Sequence, residues 1–302
     1  MTIALHGDAT RYPNLALMKI SAWHKAAGDQ AEMFMPLKTY DRVYSSKVFT
    51  FTPQDYYLPE GTIRGGTGYG MYDDLTDEIE HICPDYSLYG IDYSMGFLTR
   101  GCIRKCAFCF VPRKEGNIRA HADITEFARH RDVVLLDNNV LAHDHGLRQI
   151  EKIARLNLRV DFNQGLDARL IDDAAARLLG RLKWRVPLRL ACDSQAMIEP
   201  VRKAVELLRW HNVTPSQYFC YCLVTEDAEE ALERVRFLKG IYVYPFCQPL
   251  MKPEGSQPTQ GQKYLCEWVN QRVTFRACTF ADFLESKRIG HGKKALSETD
   301  TK

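Results

Sequence analysis

Three cysteines stand out in the stretch GFLTRGCIRKCAFCFVPRKEG, residues 96–116: Cys102, Cys106 and Cys109, spaced C-x3-C-x2-C. Three thiolates this close can converge on one metal centre. A structural zinc needs four protein ligands in a closed tetrahedral shell. The nearest further donors are Cys83 and His121, and neither completes the paired pattern of a zinc ribbon. Burial of all three thiols as small apolar groups is awkward, because Arg104 and Lys105 lie between the first two. An iron–sulfur cube usually takes four thiolates. Three hold three irons and leave one open to an exchangeable ligand. A non-catalytic zinc or iron–sulfur binding module is the alternative from another class.

The elements around this loop follow a rhythm. Apolar runs at 96–100, 133–137, 158–162, 187–193, 218–225 and 241–246 alternate with helical patterns such as HGLRQIEKIARL, DDAAARLLGRL, IEPVRKAVELLRWH and DAEEALERVRFLKG. Six strands alternating with helices predict parallel βα repeats with right-handed crossovers, an α/β partial (βα)6 TIM-like barrel. Chemistry in such folds sits at the C-terminal ends of the strands, and the cysteine loop directly follows the first run. Before it, residues 1–90 predict a small Rossmann-like α/β domain. It has a helix over 15–27 ending at Gly28, strands near 31–34 and 40–51, and a glycine turn, GGTGYG, at 65–70. The barrel domain with a C-terminal extension then covers 91–286, and 287–302 is polar enough to predict a disordered tail.

The motif CIRKCAFC resembles the defining C-x3-C-x-φ-C motif of the radical S-adenosylmethionine (radical SAM) enzymes, with Phe108 at the aromatic position. The resemblance extends over roughly residues 95–250. It implies a [4Fe–4S] cluster held by Cys102, Cys106 and Cys109, with S-adenosyl-L-methionine on the open iron. It implies reductive cleavage of that molecule to a 5′-deoxyadenosyl radical, which takes hydrogen from a substrate the sequence does not identify. It also implies an electron donor such as a flavodoxin or ferredoxin. In this family a short polar motif ends the second strand and meets the amino group of SAM. Here Asp137, Asn138 and Asn139 occupy that place, in place of the usual glycine-glycine-glutamate. Gln164, after the third strand, and Asp193, after the fourth, are the other expected SAM contacts. Helix capping and turns are the competing roles for these residues.

The N-terminal domain resembles the Rossmann-like cobalamin-binding domain that precedes many radical SAM domains. Cobalamin is therefore a further candidate cofactor, and a cobalamin-dependent methyltransferase a further reading. The Asp-x-His-x-x-Gly signature that supplies cobalt with a histidine is absent, and His24 and His81 do not stand in it.

Other features narrow the field less. Net charge is +2 with pI near 8.0, which leaves nucleic acid undetermined as a partner. No run approaches 18 apolar residues, so no membrane span is expected. Ten cysteines in a chain of this kind predict a reducing cytoplasm. Cys192, Cys220, Cys222 and Cys247 lie in or near apolar strands and predict packing, with a second cluster as the competing use. Cys266 and Cys278 look structural. Arg104, Lys105, Arg113 and Lys114 surround the cysteine loop as a solvated basic patch or an anion-holding one.

Overall fold

The computed structural model describes residues 1–288 except 9, 11, 54 and 252–256. The remainder of the expected tail, 289–302, lies outside the described residues. The chain packs into two compact units. The first holds Met1–Gln164 with Arg181–Arg185, and the second holds Gly165–Gly180 with the described residues from Val186 onward.

In the first unit, β1 (Thr2–Gly7) leads to α1 (Leu15–Ala26), β2 (Gln30–Met33), β3 (Arg42–Ser46) and β4 (Ile63–Gly65), a parallel sheet in the order β2-β1-β3-β4. Asn14 starts α1 by accepting from Leu17 N at 3.2 Å. Leu17 and Ile20 then reach Ile3 and Leu5 of β1 in one core. The short α2 (Asp77–Glu80) comes next, then β5 (Ser94–Gly96). Met18 of α1 packs with Tyr86, Met95 and Val134, which ties the N-terminal sheet to the next one.

After β5 the chain makes β6 (Thr99–Arg100), α3 (Val111–Lys114), β7 (Arg119–Ala120) and the capping-box helix α4 (Ile124–Phe127). The strand β8 (Asp132–Leu135), α5 (Asp144–Arg155), β9 (Arg159–Phe162) and β10 (Lys183–Trp184) complete the unit. Its second sheet is parallel, in the order β10-β9-β8-β5. The run expected as one strand over 96–100 is two pieces. Gly96 ends the parallel strand, and Thr99 and Arg100 pair antiparallel with Ala120 and Arg119. The break has a cause in a later residue, Asp137, described below.

The second unit holds α6 (Asp173–Gly180), β11 (Leu188–Ala191), α7 (Ile198–Trp210), β12 (Tyr218–Val224), α8 (Ala228–Gly240), β13 (Tyr244–Pro249), α9 (Gln260–Asn270) and α10 (Arg272–Ala277), with helical residues over 280–288. Its sheet is parallel, β11-β12-β13. The expected βα alternation is thus observed at β5, β8, β9, β11, β12 and β13, an α/β fold with parallel sheets. Strand pairing closes no barrel among the described residues.

Three of the crossover helices end alike. Asn157, Asn212 and Tyr242 follow α5, α7 and α8 at φ of 57°, 54° and 56°. The next residue donates back to the helix in each case: Leu158 to Ile153 O, Val213 to Leu208 O and Val243 to Leu238 O. This is the left-handed cap that satisfies the last carbonyls and turns the chain into a strand. It also explains why the last strand begins at Tyr244 and not at Ile241.

Candidate metal centre

The cysteine loop is closed at its neck. Cys102 N donates to Gly116 O at 3.3 Å, and His121 N donates to Leu98 O at 2.9 Å, either side of the β6–β7 pair. Gly101 takes φ +79°, and a Cβ there would collide with the Asn117 carbonyl, so the neck admits glycine alone without rearrangement. The Glu115 carboxylate, nearly buried, locks the closure. Its Oε2 accepts from Gly101 N at 3.0 Å, Arg100 Nε at 3.2 Å and Asn138 Nδ2 at 2.9 Å. Inside the loop Cys109 N donates to Cys106 O at 2.9 Å, and α3 begins directly after.

The three thiols are half-buried. Two N–H groups approach Cys102 Sγ: the backbone of Arg104 at 3.3 Å and the side chain of Asn139 at 3.5 Å. Both lie within the longer reach of a sulfur acceptor. Phe108, expected beside the centre, is 49% exposed.

The end of β8 is committed to this loop. Asp137 is fully inside the protein and receives Leu98 N at 3.1 Å, Thr99 N at 2.6 Å and Thr99 Oγ1 at 2.7 Å. These bonds take the 98–99 amides away from the parallel ladder, which is why β5 stops at Gly96. Burial pushes the Asp137 carboxyl up to about 6, against the pull of those donors. Asn138 holds Glu115, and Asn139 meets Cys102. Of the expected SAM contacts, these three gather at the loop. Gln164 is exposed beyond β9, and Asp193 sits in the second unit, where its Oδ1 accepts from Leu223 N at 2.9 Å.

Behind the loop lies a charge network that residue spacing alone does not reveal. Arg100 is 8% exposed, stacks on the Phe97 ring at 4.3 Å and pairs with Glu115, Glu80 and Asp74. Glu80 also meets Lys19 at 3.0 Å and His121 at 3.3 Å. Burial pushes the Glu80 carboxyl up, but His121, Lys19 and Arg100 outweigh it and hold it at about 2. Glu80 and Glu115 read in sequence as solvated acids of a linker and a loop, and no local signal marks them.

Does the donor set fit a cluster? Three half-buried cysteines on one pinned loop, with N–H groups turned toward a sulfur, are suitable ligands for separate irons. Among the described residues no three His, Cys, Asp or Glu side chains are gathered closely enough to share a single ion. That holds equally for the second-unit cysteines. Cys192, Cys220, Cys222, Cys247 and Cys266 are buried in and around the β11-β12-β13 sheet, with Cys222 opposite Cys247 in register, and serve as core residues.

A corrinoid fits less well. The turn glycines pack onto β3 and the segment after it: a Cβ on Gly66 would collide with Lys47 O, and one on Gly68 would lie 2.6 Å from Phe49 O. Both ring nitrogens of His6 and of His24 are engaged by protein partners. The cavity beside this turn, bordered by Asn14, Ser46, Lys47, Gly65, Arg100 and Lys114, encloses about 300 Å³. That is the low end for a drug-sized ligand, and a corrin with its nucleotide tail is larger than that class.

No family model matches the chain, and no curated protein matches it. Among solved structures it is similar to the cobalamin-dependent S-adenosylmethionine radical enzyme OxsB, determined with aqua-cobalamin and S-adenosylmethionine bound. The TM-score is 0.55 at 10% sequence identity, over 94% of this chain and 56% of that one. The likeness is one of fold: the two share an α/β architecture with parallel sheets over most of this chain. The chain spans about half the length of that neighbour. No helix among the described residues is long and apolar enough to cross a membrane.

Proposed function

We propose that the protein is a radical SAM enzyme in which Cys102, Cys106 and Cys109 hold a [4Fe–4S] cluster and S-adenosylmethionine occupies the open iron. The observation that carries this reading is the cysteine loop itself. A C-x3-C-x2-C segment is closed at its neck by Glu115, Gly101 and Gly116, in a chain that shares its fold with a SAM-dependent radical enzyme. When bound, cluster and SAM would supply reductive cleavage of the sulfonium and hydrogen abstraction from a substrate. The chain's own residues supply the rest. Glu115 and Arg100 keep the loop closed, Asp137 holds the backbone that leads into it, and the half-buried setting of the cysteines limits access of water and oxidants. An external low-potential donor such as a flavodoxin or ferredoxin would deliver the electron. The corrinoid is left out of this proposal: the Asp-x-His-x-x-Gly signature is absent, and the cavity beside the glycine turn has a volume of about 300 Å³.

The test is electron paramagnetic resonance on anaerobically reconstituted, dithionite-reduced protein, with and without SAM. A reduced cluster signal whose shape changes when SAM is added, together with loss of the signal in Cys106→Ala, is expected. No cluster, or a signal that SAM leaves unmoved, overturns the proposal.

A further inference from the structure

Asn139 occupies the place where the resemblance expects a SAM contact, yet its amide is turned onto a cysteine. It is 3% exposed, and its Nδ2 lies 3.5 Å from Cys102 Sγ, within the longer reach of a sulfur acceptor. Its neighbours leave that side chain little freedom. Asn138 is held by Glu115 at 2.9 Å, and Asp137 is held by three donors from Leu98 and Thr99. The same Glu115 oxygen grips Gly101, the residue before Cys102. Both sides of the Asn139–Cys102 contact are therefore fixed by one carboxylate.

Hydrogen bonds to ligating sulfurs are among the levers that set an iron–sulfur potential. A donor withdraws electron density from the thiolate and favours the reduced, more negative cluster. We propose that Asn139 is a positioning residue for the cluster: its amide donates to Cys102 Sγ and raises the reduction potential of the centre, in place of a contact to SAM. This rests on the cluster assignment above, and the experiment separates the two.

Wild-type protein is labelled with 15N at asparagine, reconstituted and reduced, and examined by pulsed electron paramagnetic resonance before SAM is added. A reduced cluster must appear first; its absence sinks the cluster assignment itself. With the cluster present, coupling to an asparagine amide nitrogen without SAM is expected. Coupling that is absent, or that appears only after SAM is added, overturns the inference and returns Asn139 to the SAM site. Asn139→Leu, which keeps the bulk and removes the donor, is then titrated potentiometrically beside wild type. A midpoint moved to more negative potential, with the asparagine coupling lost, is expected; an unchanged midpoint overturns the inference. If Asn139→Leu assembles no cluster, Asn139→Val gives the same two readouts, since it also lacks the donor and carries no charge.

Discussion

Asp137 shows how one side chain can decide the shape of a neighbouring strand. Its carboxylate accepts from two backbone amides, both on residues with no exposed surface, and from the Thr99 hydroxyl. Removing it leaves two buried N–H groups without an acceptor, at about 1–3 kcal/mol each. Asp137→Ala is expected to lower the melting midpoint by on the order of 10 °C, measured by circular dichroism; a midpoint within 2 or 3 °C of wild type, on the same conversion, would mean the 98–99 turn does not depend on this acceptor.

Glu80 behaves oppositely. Its folded-state value of about 2 lies below the ordinary 4.5, so its contribution is fully present above about 4.5 and is lost as pH falls toward 2. The size is on the order of 3 kcal/mol. Denaturant unfolding at pH 7 and pH 3 should show a smaller acid loss in Glu80→Gln than in wild type. Equal losses would mean that Lys19, His121 and Arg100 do not hold this carboxylate in the charged form.

At the scale of elements, the repeated ends of α5, α7 and α8 set where strands begin. Two of the three left-handed positions carry asparagine, which tolerates that conformation, and the third carries Tyr242, 87% exposed. A tyrosine held there costs roughly 1 kcal/mol without a compensating contact. Tyr242→Asn is expected to stabilise the protein by up to about 1 kcal/mol, read as a shifted denaturant midpoint at unchanged slope. Destabilisation would show that the exposed ring has a use in the folded state. The helices and strands themselves were legible from apolar spacing: α1, α5, α7 and α8 fall within a few residues of the patterns that predicted them. The pattern failed where a side chain from another element captured the backbone, as Asp137 does at residues 98–99. Period and propensity carry no trace of such a long-range acceptor.

At the scale of the whole molecule, a shared fold and a shared cofactor are separate questions. The structural neighbour was determined with aqua-cobalamin bound. Here the β2-β1-β3-β4 sheet spends its turn glycines on close packing against Lys47 and Phe49. Protein mixed with aquacobalamin and passed through a desalting column is expected to carry no corrinoid absorbance; a stoichiometric visible spectrum would contradict the fit argued from that turn. By itself the sequence determined the parallel βα alternation and the cysteine triad, because both are written in local spacing and in residue types whose chemistry is specific. Tertiary structure alone decided what surrounds the triad. Glu115 closes the loop, Asn139 turns to Cys102, and Glu80 with Arg100 backs them, contacts that join residues up to 37 positions apart. Such contacts arise from the register of strands and the burial of charge, which exist only once the chain is folded.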